Sequence, residues 1–199
     1  IGGPEVSYDG PAVLTRLPEA DGVMKGEGEQ TFCELIEFYN NKVNTRALEQ
    51  IEGIVYRKGG QICENAWRKT MDLSKVPFVY HDMKDFEHKI IYYESSRGCP
   101  FSCSYCLSSI DKCLRFRNLD LVKEELQFFI DHKVPQVKFV DRTFNCKHDH
   151  AMAIWSYIME HDNGVTNFHF EVSADLLNEA ELELMSHMRP GLIQLEIGV

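Results

Sequence analysis

Apolar positions recur along this chain with two periods, and each change of period marks out an element. Ile1 to Pro4 reads as the end of a strand running into a glycine turn, and Val13 to Leu17 is compatible with a helix. Asp21 to Lys25 is a short strand ending in Gly26-Glu27-Gly28-Glu29. From Gln30 the spacing turns helical, with Phe32, Leu35, Ile36 and Tyr39 on one face, Thr31 as the expected cap and Cys33 as a small core residue. Ile51 to Ile62 alternates around Lys58-Gly59-Gly60, the pattern of a hairpin. Trp67 to Glu87 holds no period and contains Pro77, so it predicts a connecting stretch anchored by Leu73 and Val76.

The second half repeats one unit. Ile90 to Tyr93, Val137 to Val140, Asn167 to Ser173 and Leu192 to Val199 predict strands, and Leu114 to Arg117 predicts a short extended segment. Between them Leu119 to Phe129, Ala151 to Glu160 and Ala180 to Met188 are amphipathic helices, the second burying Ile154, Trp155, Ile158 and Met159. Strand and helix alternate in units of about thirty to forty residues, the spacing of a parallel sheet closing towards a barrel, with about five strands present. In such folds chemistry gathers at the carboxyl ends of the strands. Three polar clusters fall there: the loop after Tyr93, Asp141 to Asn145, and Ser173 to Asp175.

The composition is that of an ordinary globular protein, with 199 residues, 44% of them hydrophobic and 26% charged. The net charge of −10 argues against nucleic acid as a partner, and no apolar run approaches membrane-spanning length. Both ends read as cut, Ile1 without an initiating Met and Val199 in mid-strand, so an internal segment of a longer protein is expected.

The seven cysteines change the picture most. Their odd number and clustering do not suit a secreted disulfide framework; a reducing cytoplasm suits them better. Cys99, Cys103 and Cys106 lie in one turn-rich segment, and Arg97, Gly98 and Pro100 break the preceding strand. Three thiolates are one ligand short of a closed zinc site. They could also hold an iron–sulfur cube with one iron left open. His81 and His88, with Asp82, Asp85 and Glu87, read as a solvated polar stretch rather than a metal site.

RGCPFSCSYC resembles the C-x3-C-x2-C motif of the radical S-adenosylmethionine (radical SAM) superfamily. IGGPEVS and DGVMKGEGEQTFCELI resemble the last portion of a cobalamin-binding domain. Together they look like the radical SAM proteins with a B12-binding domain. The resemblance implies an α/β fold, a partial radical SAM (β/α) barrel over 90–199. Before it would come the C-terminal remnant of a Rossmann-like cobalamin-binding domain over 1–50, with a hairpin and linker over 51–89. It implies that Cys99, Cys103 and Cys106 hold a [4Fe–4S] cluster whose open iron takes S-adenosylmethionine, with Tyr105 packing on adenine. Asp141 to Asn145 takes the place of the segment that meets the methionine amino group, so Asp141 and Asn145 are expected at the cofactor. Glu171 and Ser173 would face its ribose or carboxylate, and Glu196 would lie near adenine. Arg97 would balance cluster charge or form a surface ion pair, and Cys113 and Cys146, outside the motif, are expected as two free buried thiols rather than as ligands of an auxiliary cluster.

The implied activity is reductive cleavage of S-adenosylmethionine to a 5′-deoxyadenosyl radical, leading to hydrogen abstraction or cobalamin-dependent methyl transfer. A small-molecule substrate and an electron donor of flavodoxin or ferredoxin type are the expected partners. Cobalamin belongs to the full-length protein in this reading, because the histidine motif that ligates cobalt in many members is absent here. Two other readings stand beside it: a zinc-binding structural or regulatory module built on the same cysteines, and a tRNA methylthiotransferase-like radical enzyme.

Overall fold

The computed structural model describes residues 1–40, 47–109 and 113–198, with the side chains of Asp85 and Ser109 left aside. Val199, the expected end of the last strand, lies outside the described residues. Two compact units divide the chain, Ile1–Met71 and Asp72–Val199.

In the first unit, α1 (Pro4–Ser7) and α2 (Gly10–Arg16) lead to β1 (Gly22–Met24), α3 (Glu29–Asn40), β2 (Ile54–Lys58) and β3 (Gln61–Glu64). The three strands form an antiparallel sheet in the order β1-β2-β3. Ile1 adds to its edge: its amino group donates to Gly22 O at 3.0 Å and its carbonyl accepts from Met24 N at 2.8 Å. That is the slanted bonding of a parallel pair. Ile1 therefore runs parallel to β1, with α1 and α2 as the crossover. Gly10 allows α2 to sit on this sheet, since a Cβ there would stand 2.6 Å from Val55 Cγ2.

The helix expected from Gln30 forms, but it turns a different face inward. Phe32, Ile36 and Tyr39 are exposed, Cys33 is exposed rather than a core residue, and Thr31 and Glu34 are buried. Polar contacts decide the orientation. Arg68 pairs with Glu34 at 2.5 Å and donates to Thr31 Oγ1 at 2.9 Å, while Thr31 donates to Glu52 O. Thr31 thus lies inside the helix as a tether instead of capping it.

The second unit contains β4 (Ile91–Tyr93), β5 (Ser96–Arg97), β6 (Arg115–Phe116), α4 (Leu119–Asp131), β7 (Gln136–Phe139), α5 (His148–Glu160), β8 (Asn167–Ser173), α6 (Glu179–Ser186) and β9 (Ile193–Gly198). Among the described residues four strands make the parallel sheet, where about five were expected, in the order β4-β7-β8-β9. The extended segment near Arg115 instead pairs antiparallel with β5. The helical crossovers return each strand beside its predecessor, as a parallel connection requires. Phe168, Phe170 and Val172 of β8 meet Val122, Leu126 and Phe129 of α4 and Ile154, Trp155 and Ile158 of α5 in one core. The opposite face of the sheet is polar, carrying Gln136, Lys138, Asn167, His169, Glu171 and Glu196.

Residues 72–90 are less of a linker than their lack of period suggests. Phe78 and Tyr80 pack edge-on against Phe128 and Phe129, and the Tyr80 hydroxyl donates to Tyr92 O at 2.6 Å and accepts from Tyr92 N at 3.1 Å. These bonds occupy backbone groups of the edge strand β4 that would otherwise invite pairing with another chain. Arg117 fastens the same segment. Its guanidinium pairs with Glu125, with Nε at 2.9 Å, and donates to Leu73 O, while the Tyr93 hydroxyl donates to Glu125 at 2.6 Å. Burial, followed by the Glu125 carboxylate, pushes the Tyr93 phenol well above its ordinary value.

Because both Arg117 and Glu125 are buried, removing one leaves an uncompensated charge. Glu125→Leu is expected to cost about 3 kcal/mol in urea unfolding followed by circular dichroism. The double variant Arg117→Met/Glu125→Leu is expected to recover most of that loss.

Candidate functional site

The cysteine loop leaves the sheet through Glu94, Ser95 and Ser96, and a buried carboxylate fixes that departure. Asp141 follows β7 beside the end of β4, where Val140 N donates to Tyr93 O at 2.9 Å. The Asp141 carboxylate accepts from Ser95 N at 3.0 Å, Ser95 Oγ at 2.7 Å and Ser96 Oγ at 2.6 Å. His150 Nε2 stands 3.1 Å from Ser95 Oγ on the far side. Burial raises the Asp141 pKa to about 6 despite these hydrogen bonds, and burial, aided by Lys147, lowers that of His150 to about 4.

Beyond Ser96 the loop turns on Gly98, whose φ of +99° favours glycine. A Cβ there would lie 2.6 Å from the carbonyl oxygen of Cys113. Arg97 grips Glu94 through two hydrogen bonds of 2.8 and 2.7 Å, so its ion-pair alternative is realised within the loop's own stem. None of the seven cysteines forms a disulfide. Cys99 is buried and its Sγ lies 3.6 Å from Thr143 Oγ1. Cys106 is half-buried, and Cys103 and Tyr105 are exposed, Tyr105 by 90%. Cys106 N donates to Cys103 O at 3.1 Å, a short turn within the outer part of the loop.

The turn after β7 is held at both ends. Asn145, wholly buried, donates from Nδ2 to Ser173 O and accepts at Oδ1 from Ser173 N, both at 2.9 Å. Its side chain therefore ties this turn to the end of β8. Ser173 Oγ donates to Asp175 at 2.5 Å. Asp141 and Asn145 both spend their polar atoms on the framework behind the loop, and neither is exposed. Glu171 is half-buried beside Glu196 in the strand register. Glu196 accepts from Lys138 Nζ at 3.3 Å and approaches His169 Nε2 to 3.2 Å. So the residues singled out fall into two groups, one around Asp141, Cys99 and Asn145, the other on the open polar face around Glu196.

Cys146 is half-buried, and burial first, then Cys99 and Asp141, pushes its thiol up to about 11. Cys113 is exposed, which corrects its expected burial. Serines 95 and 96, Thr143 and His150 complete the site without having been singled out from the sequence. Ser95 and Ser96 directly precede RGC, and Thr143 lies within the Asp141 to Asn145 segment, so both had a positional signal. His150 had none, being one of two histidines in a polar first helical turn.

His81 and His88 are exposed. Among the described residues no three His, Cys, Asp or Glu side chains gather about a single ion position. Zinc draws its ligands to within about 2.3 Å of one point, so the zinc reading finds no ready site here. A four-iron cube distributes its thiolates over separate iron atoms, and three cysteines on one loop suit that donor set.

Comparison with known proteins agrees with the cysteine motif. No protein-family profile matches the chain. It is similar to an uncharacterized methyltransferase of Pyrococcus horikoshii, 28% identical over 164 residues, covering 77% of this chain and 35% of that protein. The chain thus spans about a third of the length of that relative. Among solved structures it is similar to the cobalamin-dependent S-adenosylmethionine radical enzyme OxsB with aqua-cobalamin and S-adenosylmethionine bound. There the TM-score is 0.76 at 19% identity, over 100% of this chain and 30% of that one. It is also similar to the radical S-adenosylmethionine methyltransferase TsrM of Kitasatospora setae with cobalamin and a [4Fe–4S] cluster bound, at TM-score 0.72 and 17% identity, over 99% and 41% of the two chains. The chain therefore has the α/β fold of cobalamin-dependent radical SAM enzymes, and the resemblance read from RGCPFSCSYC is borne out. Among the described residues no helix is long and apolar enough to cross a membrane.

The two buried groups titrate in opposite senses. Asp141, raised from 3.8 to about 6, contributes stability that is present below 3.8 and lost as pH rises through about 6. His150, lowered from 6.5 to about 4, contributes stability that is present above 6.5 and lost as pH falls through about 4. Unfolding free energies measured across this range should show Asp141→Asn gaining on the wild type as pH rises through that first window. His150→Gln should gain on it as pH falls through the second.

Proposed function

We propose that this chain is a segment of a cobalamin-dependent radical S-adenosylmethionine enzyme and that Cys99, Cys103 and Cys106 hold its [4Fe–4S] cluster. The observation that carries this reading is the placement of three cysteines, none in a disulfide, on the loop leaving the first strand of a parallel sheet of that fold. Bound there, the cluster and S-adenosylmethionine would supply one-electron chemistry, reductive cleavage of the sulfonium to a 5′-deoxyadenosyl radical.

The chain's own residues would do the rest. Cys99 would anchor the cluster to the rigid framework, and Cys103 and Cys106 would close on it from the outer part of the loop. Tyr105, exposed next to Cys106, would cover the adenine. Glu171, Ser173 and Glu196 would meet the polar groups of the nucleoside and methionine from the open face of the sheet. Asp141 and Asn145 are better assigned to holding the loop and turn, because their polar atoms are already engaged.

The second unit is proposed as the first part of a radical SAM barrel, supported by its parallel β/α order. The first is proposed as the last part of a Rossmann-like cobalamin-binding domain, supported by the parallel pairing of Ile1 with β1. Methyl transfer to a small-molecule substrate is the outcome best supported by the similar methyltransferases. A flavodoxin- or ferredoxin-type reductant would deliver the electron in a cytoplasmic setting.

The test is anaerobic reconstitution of the full-length protein with iron and sulfide, followed by reduction with S-adenosylmethionine present. A brown protein with about four irons that forms 5′-deoxyadenosine is expected. Alanine at Cys99, Cys103 or Cys106 is expected to reduce product formation to background. A colourless wild type carrying stoichiometric zinc and leaving S-adenosylmethionine intact would overturn the reading.

A further inference from the structure

One contact joins the cysteine loop to the turn after β7 through a sulfur and a hydroxyl. The Thr143 hydroxyl is buried, and Cys99 Sγ at 3.6 Å is its one hydrogen-bond partner among the described residues. Valine would fill the same space, so what threonine adds is a hydroxyl within hydrogen-bond reach of that sulfur. As a free thiol, Cys99 could donate or accept in this contact. As a metal-bound thiolate it has no proton, and the threonine must be the donor.

The turn that carries Thr143 is immobilised on both sides. Asp141, two residues before, is bound by Ser95 and Ser96, and Asn145, two residues after, is bonded twice to the backbone of Ser173. Phe144 between them is fully buried against Phe139, Phe170 and Trp155. The hydroxyl is therefore presented to Cys99 by rigid elements, as a group that tunes a metal ligand should be.

We propose that Thr143 donates a hydrogen bond to the Cys99 thiolate and thereby raises the reduction potential of the cluster. The inference rests on the cluster assignment made above. Reduction adds negative charge to the cluster and its sulfurs. A donor at a ligating sulfur stabilises the reduced state more than the oxidised one, and such hydrogen bonds are among the determinants of cluster potential. Thr143 is a positioning residue in this account: it acts on the cluster through Cys99 and touches no substrate.

The experiment compares full-length wild type with Thr143→Val and Thr143→Ser, each reconstituted anaerobically and assayed for iron and sulfide. The cluster's midpoint potential is then read by mediated titration with electron paramagnetic resonance detection. Thr143→Val should bind as much iron as wild type but titrate at a more negative potential, and Thr143→Ser should return towards the wild-type value. Equal potentials for the wild type and a fully loaded Thr143→Val overturn the proposal. If the valine variant does not load, Thr143→Ala against Thr143→Ser makes the same comparison, and equal potentials there overturn it equally. A wild type that takes up no iron overturns the cluster assignment itself and this inference with it, a result the iron assay separates from unchanged potentials.

Discussion

The buried carboxylate of Asp141 is the constraint on which the rest of the second unit's functional end depends. A carboxylate removed from water is strongly destabilising unless hydrogen bonds replace its hydration. Here three of them come from two consecutive serines, Ser95 and Ser96. Those serines are the last residues before the loop turns at Gly98. The electrostatic requirement of one side chain thus sets where the loop leaves the sheet and in what direction. That burial still raises the Asp141 pKa to about 6 means the replacement is incomplete. The site accepts a local cost for a fixed geometry, a pattern found where function rather than stability selects a residue.

The sheet explains why such a fixture is needed only at one place. Its helix-covered face is apolar throughout, with Phe139, Phe168 and Phe170 packed against Phe144 and Trp155. Parallel sheets usually bury both faces. This one presents Lys138, His169 and Glu196 on its other face, linked across three strands. A face of that kind is suited to a polar ligand and poorly suited to packing. The cysteine loop stands at the carboxyl end of the same sheet, the end at which ligands of parallel α/β folds are received.

Much of this was legible in the residues. The alternation of Asn167 to Ser173 identified both the strand and its two faces, and the spacing of Leu119 to Phe129 identified α4. The cysteine triplet marked the candidate site. Less visible were features decided by contacts between distant residues. The orientation of α3 depends on Arg68 reaching Glu34 and Thr31, which no local period records. The engagement of Asp141 and Asn145 depends on strand neighbours far away in the chain, so from sequence they read as free polar residues at a strand end. The segment from 72 to 90 lacked a period because it packs by isolated aromatic anchors rather than by a repeating face.

The three cysteines differ in a way the motif does not show, and the difference bears on what the loop can do. Cys99 is buried against Thr143, one turn of chain from residues locked to Asp141. Cys103 is exposed, and Cys106, half-buried, donates its backbone N–H to Cys103 O. In the proposed cluster, Cys99 would be the ligand that the framework positions before any metal arrives. A cluster held in this way would remain registered to the sheet through that one rigid ligand. Under that proposal, electronic control by the protein would be strongest at the fixed ligand. Cys99, with the Thr143 hydroxyl within hydrogen-bond reach of its sulfur, would be where the fold sets the behaviour of the whole centre.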